Sequence, residues 1–220
     1  MGTSPAARDY QTLIAAASLI VGPLLMSIGD LFHPEERMDT AEQIAILADH
    51  ASRWYAAHLL LFIGMMLAIP GLLALSSLTA ERNPAAGYAG RILILIGAAA
   101  FASIFLGEML IGQFLRDGAD TAAATDLWDT MMSGPIIAAV IPGVLAFLVG
   151  TAAFAIPLAR AGGTRRWIAA LYSIGALLIL GEILSAQVML SQIGNIVIFC
   201  GGAVTAWLIL QGDTGPQMVS

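Results

Sequence analysis

Six long runs of apolar residues constrain the fold of this 220-residue chain more than any other feature. A helix rises ~1.5 Å per residue, so about 20 apolar residues cross a hydrocarbon core ~30 Å thick. Four runs come close to that length or exceed it, whereas the fifth must continue past Glu182 and the sixth must begin near Ser191. We therefore predict six transmembrane spans at about 12–32, 55–78, 91–115, 134–159, 167–188 and 192–211.

The composition supports helices in a membrane over a soluble domain. Hydrophobic residue types make up 59% of the chain and charged types 11%, whereas charged residues are roughly a quarter of a soluble domain. The runs are continuously apolar and lack the alternation of a β-barrel strand. The sequence therefore predicts an all-α polytopic membrane protein, with residues 1–220 forming a single transmembrane domain.

Several classes of function are excluded by residues that the sequence lacks. There is no lysine, so a retinal Schiff base is impossible. No basic patch is present, and we expect no nucleic-acid partner. A single cysteine, Cys200, permits neither a disulfide nor a cysteine-based metal cage within one chain. Familiar catalytic and phosphate-binding motifs are absent, and we expect no cofactor.

The arginines predict the orientation of the chain. The connections with Arg82 and Arg165 are short, which is where the excess of positive charge on the cytoplasmic side is most informative. We therefore place both termini in the cytoplasm and the acidic segments 35–49 and 117–129 outside. The arginines assigned to the cytoplasmic side are Arg8, Arg82, Arg91, Arg160, Arg165 and Arg166, and those assigned to the outer side are Arg37, Arg53 and Arg116.

The first outer connection has the pattern of an amphipathic helix. Thr40 can cap it, with Gln43 three positions later completing a capping box. We expect this segment to lie at the membrane interface, followed by Trp54-Tyr55 as an aromatic anchor. Its apolar face would contain Ile44, Leu47, Ala48 and Ala51.

A short pattern recurs in the odd-numbered spans. Each contains a glycine, a carboxylate and two apolar residues, at Gly29–Phe32, Gly107–Leu110 and Gly181–Leu184. Gln113 and Gln187 each follow their glutamate by five positions. A fixed interval of this kind is typical of a repeated structural unit. The sequence therefore favours three repeated helical hairpins.

The intramembrane carboxylates are the strongest indication of a functional site. Placing a charged side chain in a span costs about 3 kcal/mol, so such residues face the bundle interior and find partners. Asp30, Glu108 and Glu182 would all lie in the outer half of the membrane, with His33 and His58 near the same depth. The alternative is structural, with each group hydrogen-bonded to its own neighbour. The predicted ligand-binding residues are Asp30, His33, His58, Glu108, Glu182, Gln113 and Gln187.

Three functions remain open from these residues. The leading hypothesis is binding or transport of a cation, a proton or a small polar ligand at an outward-facing carboxylate site. The second is an accessory or lipid-binding subunit of a larger membrane complex. The third is an intramembrane enzyme that uses Glu108 or Glu182 as a general acid on a polyprenyl-type substrate. Expected partners are membrane lipid, a small polar ligand or cation, and a second copy of the chain or a larger complex.

The first hairpin resembles a known class of proteins. The segment Trp54-Tyr55-Ala56-Ala57-His58-Leu59-Leu60, preceded by His33-Pro34-Glu35-Glu36, is similar to small polytopic membrane proteins of high-GC bacteria that are grouped as domains of unknown function. The resemblance implies a multi-helix fold in the bacterial plasma membrane. It implies no activity.

Overall fold

The computed structural model describes residues 5–80, 83–185 and 187–212. Six of the seven helices in these ranges are long and apolar enough to span a membrane, which confirms the predicted all-α, six-span architecture. Arg82, which the orientation prediction uses, lies outside the described residues. The helices are α1 (Pro5–Phe32), α2 (Thr40–Ala80), α3 (Pro84–Arg116), α4 (Thr121–Met132), α5 (Gly134–Ala161), α6 (Gly163–Ser185) and α7 (Val188–Leu210).

The six long helices form a closed ring. Each packs against the preceding and the following long helix, and α7 closes the ring by packing against α1. The chain forms three hairpins, α1–α2, α3–α5 and α6–α7, whose connections lie at one end of the ring. The short helix α4 packs there against α2, α3 and α5. We call this the α4 end of the bundle.

The predicted interfacial helix is the first part of α2 instead of a separate element. Residues 40–49 lead directly into the span, with a break in helical geometry at His50, where φ is −127° and ψ is 25°. The Asp39 carboxylate, and not Thr40, accepts from a free N–H of the first turn, that of Glu42, at 3.0 Å. Gln43 Oε1 accepts instead from the Arg37 N–H at 2.6 Å, so the predicted capping box is wrong.

The apolar face of this segment packs on protein and not on the membrane surface. Ile44 and Leu47 are buried, in one cluster with Trp54, Ile111 of α3 and Ala124 of α4. Trp54 is 0% exposed and therefore cannot serve as the predicted interface anchor. The periodicity identified the helix, and Ile44, Leu47 and Ala51 of its predicted apolar face are buried, whereas Ala48 is exposed. It could not show that α4 covers that face, because the contact is distant in sequence.

The last two spans meet earlier than predicted. Helix α6 ends at Ser185 and α7 begins at Val188, whereas hydropathy had extended the fifth span to residue 188. The residues on both sides of the turn are apolar, so hydropathy gives little information about its position.

Glycines allow close helix packing at five of the six interfaces in the ring. A Cβ at Gly97 of α3 would lie 2.3 Å from Phe147 Cβ of α5, and one at Gly22 of α1 would lie 2.7 Å from the backbone of Ala68 on α2. Such close backbone approach is the usual role of small residues between membrane helices. Among the described glycines, none makes a contact of this kind between α5 and α6.

Candidate functional site

The ring of helices encloses a cavity of about 730 Å³. All six spanning helices contribute side chains to it, and most of these side chains are apolar. At the α4 end the lining becomes polar and ionisable. We call the ionisable residues there the acid–histidine cluster, and they are Asp30, His33, Glu36, His58, Glu108 and Glu182.

Asp30 connects α1 to α7 at the edge of this cluster. It is 5% exposed, and its Oδ2 accepts a hydrogen bond from Asn195 Nδ2 at 2.7 Å. Its backbone carbonyl accepts from Gln192 Nε2 at 2.9 Å. Asn195 also lines the cavity, and its buried Oδ1 has no hydrogen-bond partner among the described residues. A buried hydrogen-bond acceptor beside Asp30 is therefore left unsatisfied among the described residues.

His58 and Glu108 connect α2 to α3. A carbonyl oxygen can only accept, so His58 Nδ1 carries a proton and donates to Trp54 O at 2.9 Å. The other ring nitrogen, Nε2, lies 2.8 Å from Glu108 Oε2. Trp54 Nε1 donates to the backbone carbonyl of Glu108 at 3.0 Å. The position of the imidazole is thus fixed from both sides, with Nε2 directed at the carboxyl group.

His33 faces His58 from the connection between α1 and α2. Its Nδ1 donates to Pro34 O at 2.7 Å, and Arg53 Nη2 fixes the local backbone by donating to His33 O at 3.2 Å. Its Nε2 lies 3.3 Å from His58 Nε2 and 3.5 Å from Glu36 Oε1. Burial, and then the nearby His58, lower the pKa of His33 to about 3, so its Nε2 is a free acceptor at neutral pH.

The geometry of the two imidazoles requires a shared proton. Both Nδ1 atoms already donate to backbone carbonyls, so neutral rings would present two lone pairs to each other across the 3.3 Å between their Nε2 atoms. A favourable contact needs a proton on His58 Nε2, which would then donate to His33 or to the Glu108 carboxylate. With that proton in place, the His58 Nε2–H lies 2.8 Å from Glu108 Oε2, so the imidazole and the carboxylate share one proton-bearing contact.

A second shared proton joins Glu36 to Glu182. The two side chains are hydrogen-bonded to each other, and two carboxylates can do this only when one of them carries a proton. Burial, and then the negative charge of Glu108, raise the pKa of Glu36 to about 7. The cluster therefore holds protons that it can exchange near neutral pH.

Five of the seven predicted site residues lie together in the cluster, namely Asp30, His33, His58, Glu108 and Glu182. The other two lie elsewhere. Gln113 donates to the carboxylate of Asp117 at 2.8 and 2.9 Å, and Gln187 is exposed just before α7. Both glutamines follow a glutamate by five positions, but neither of them lines the cavity.

Two residues of the site were missed by sequence reasoning. Glu36 follows Glu35 in a polar connection, which is the pattern of a solvated pair. Glu35 is exposed and pairs with Arg37, whereas Glu36 turns into the cavity. Asn195 is one polar residue in a long apolar run, and the cost of burying an amide in a span was the signal that could have identified it.

The cluster consists of carboxyl groups and imidazoles that contact one another and are not arranged as ligands around a metal ion. In the described part of the chain, no group of three or more His, Cys, Asp and Glu residues is arranged to hold a metal ion. No described arginine forms an ion pair with the four carboxyl groups; His33 lies near Glu36 and His58 near Glu108. Four acids and two imidazoles, one of them neutral, leave this end of the cavity electronegative and rich in hydrogen-bond acceptors.

No family model, curated protein sequence or solved structure matches this chain.

Proposed function

We propose that this membrane protein binds a cationic or hydrogen-bond-donating group at the acid–histidine cluster and exchanges protons with it. In this proposal the α4 end faces outward, since six of the nine arginines are assigned to the opposite side. The observation that carries the proposal is the convergence of four carboxyl groups on one end of a single cavity.

The electrostatics favour a cation or protons over an anion. An ionised carboxylate removed from water requires a compensating partner. The described residues supply imidazoles and no arginine for this purpose. A protonated amine would satisfy several of these acceptors at once, and its ammonium group carries three donors.

Binding of a cation should release protons. With the cavity unliganded, protons occupy the His58–Glu108 and Glu36–Glu182 contacts described above. An ammonium group in the cluster stabilises the ionised form of the carboxyl groups, so protons bound in the cluster are released. This exchange would be the basis of proton-coupled binding or transport.

The test uses the purified protein in mild nonionic detergent with hexylammonium as the probe. We expect hexylammonium to raise the midpoint of thermal unfolding and to release protons to a pH-sensitive dye in weak buffer. Glu108→Gln and Glu182→Gln should each lose most of both effects, because each removes one acidic group. Glu35→Gln is the matched control, since that side chain is exposed and lies outside the cavity.

Hexanol is the control for the head group. It has the same chain length and no positive charge. Equal stabilisation by hexanol and hexylammonium, or unchanged stabilisation in both glutamine variants, would contradict the proposal.

A further inference from the structure

The cavity continues far beyond the acid–histidine cluster. On α5 its lining extends from Ile137 to Leu158, which at ~1.5 Å per residue is about 30 Å, close to the thickness of a hydrocarbon core. On α2 it extends from His58 to Leu75. The site is therefore a long channel-shaped space with one polar end.

The body of the cavity is apolar. Its walls include Met65, Phe101, Val144, Phe154 and Ala176. A small cation bound at the cluster would leave this apolar volume unoccupied. A chain of methylene groups would fill it, since apolar surface is favourably removed from water into such a space.

The α5–α6 interface is open at the α4 end. No residue of α5 before Gly143 is buried, and none of α6 after Ala176 is buried. The other helices remain buried at this end, as Asp30 of α1, Glu108 of α3 and Ser191 of α7 show. The ring is thus closed at five interfaces and splayed at the sixth.

Some residues at this opening face both the cavity and the surroundings. Ile141 and Leu145 of α5 line the cavity and are 50% and 51% exposed. Leu184 of α6 lines it and is 71% exposed. All three are aliphatic, and a surface of this kind within a span faces lipid chains.

The opposite end of the same interface is held closed. Only Gly162 separates α5 from α6, and Gly162 and Gly163 have positive φ angles of 74° and 55°, which glycine adopts without strain. Near this connection Ile168 of α6 and Phe154 of α5 belong to one buried cluster. The two helices are therefore joined at one end and separated at the α4 end.

We propose that the ligand is a single-chain cationic amphiphile that enters sideways from the lipid leaflet, between α5 and α6 at the α4 end. This inference rests on the proposed function, because the acid–histidine cluster holds the ammonium head. The chain fills the apolar body of the cavity. The charge of the cluster, the continuous cavity and the aliphatic opening together select this ligand over a protein partner.

The first experiment compares dodecylammonium with hexylammonium, each titrated by its mole fraction in the detergent micelle. The longer chain should stabilise the protein at about tenfold lower mole fraction, because its additional methylene groups contact cavity walls that hexylammonium does not reach. Ala176→Phe, which fills the cavity body, should abolish this advantage of the longer chain. Val144→Phe is a second filling variant, and Leu177→Phe is the matched control, because Leu177 is 66% exposed on the neighbouring position of α6.

The second experiment tests the route. In a Cys200→Ser background, a bulky maleimide label on Leu184→Cys should slow dodecylammonium binding about tenfold or more, because it occupies the opening. The same label on Leu177→Cys should have no effect. Binding kinetics would be followed by proton release in phosphatidylcholine nanodiscs.

The outcomes separate this inference from the proposed function. If hexylammonium binds through Glu108 and Glu182 but chain length and both filling variants have no effect, the amphiphile is wrong and the proposed function stands. If the filling variants act but the Leu184 label does not, lateral access between α5 and α6 is wrong. If hexylammonium itself does not bind, the proposed function fails first.

Discussion

Replacing Glu36 by Gln should remove the contribution of this carboxyl group to the pH dependence of stability. Glu36 lies between α1 and α2, outside the spans, and its pKa is raised from 4.5 to about 7 by burial and then by the charge of Glu108. Glutamine resembles the protonated form and can still hydrogen-bond to Glu182. The variant should therefore gain stability relative to the natural protein as the pH rises.

The sign and the magnitude follow from proton linkage. A raised pKa means that the folded protein binds more protons than the unfolded chain between pH 4.5 and about 7. The contribution of Glu36 to stability is therefore fully present below pH 4.5, falls as the pH rises through this range and is level above it. The lowered pKa of His33 acts in the opposite direction below pH 6.5, so the contribution of Glu36 is measured as the difference between the variant and the natural protein. At 1.36 kcal/mol per pKa unit the loss is at most about 3 kcal/mol. At about 2–4 °C per kcal/mol for a chain of this size, the midpoint of unfolding falls by roughly 6–12 °C.

The assay is thermal unfolding of purified protein in one detergent between pH 4.5 and 8. The stability of Glu36→Gln relative to the natural sequence should rise by this amount across the range. Glu35→Gln, which changes the exposed neighbour, should follow the natural profile at a constant offset. A Glu36→Gln profile parallel to that of the natural protein would show that the carboxyl group is solvated, which would refute the reasoning.

Three further substitutions test individual contacts by thermal or denaturant unfolding. Trp54→Phe should destabilise the protein by about 1–3 kcal/mol, since it removes the donor to Glu108 O and leaves a small void; unchanged stability would mean that the bond contributes nothing. Asn195→Leu should cost a similar amount, about 1–3 kcal/mol, because it removes the donor to Asp30, and Asn195→Asp should not restore it. Gly97→Ala should cost about 1–3 kcal/mol through its clash with Phe147, whereas Ala99→Val, exposed on the same helix, should be neutral. Equal effects of the last two would refute the close packing of α3 on α5.

Local features of the sequence were sufficient to predict the architecture. Span length, apolar continuity and composition are sums over neighbouring residues, and they identified six membrane helices. The cost of an ionisable group in hydrocarbon likewise indicated Asp30, Glu108 and Glu182 as residues that need polar partners. The helical period also identified Ile44, Leu47 and Ala51 as buried residues of one helix face.

The identity of those partners was decided by the closure of the ring. Asp30 meets Asn195, and Glu36 meets Glu182, across more than a hundred positions of sequence, so no local pattern could pair them. Gln113 instead bonds Asp117, four positions further along the chain, because an offset of five residues turns it to another helix face from Glu108. The tertiary structure also covers the first turns of α2 with α4. It also leaves the α5–α6 interface splayed at one end. The sequence determines which groups need polar partners, because the free-energy cost of placing an ionisable group in hydrocarbon is a property of each residue. The tertiary structure determines which partners they contact, because those contacts depend on where helices distant in sequence are brought together.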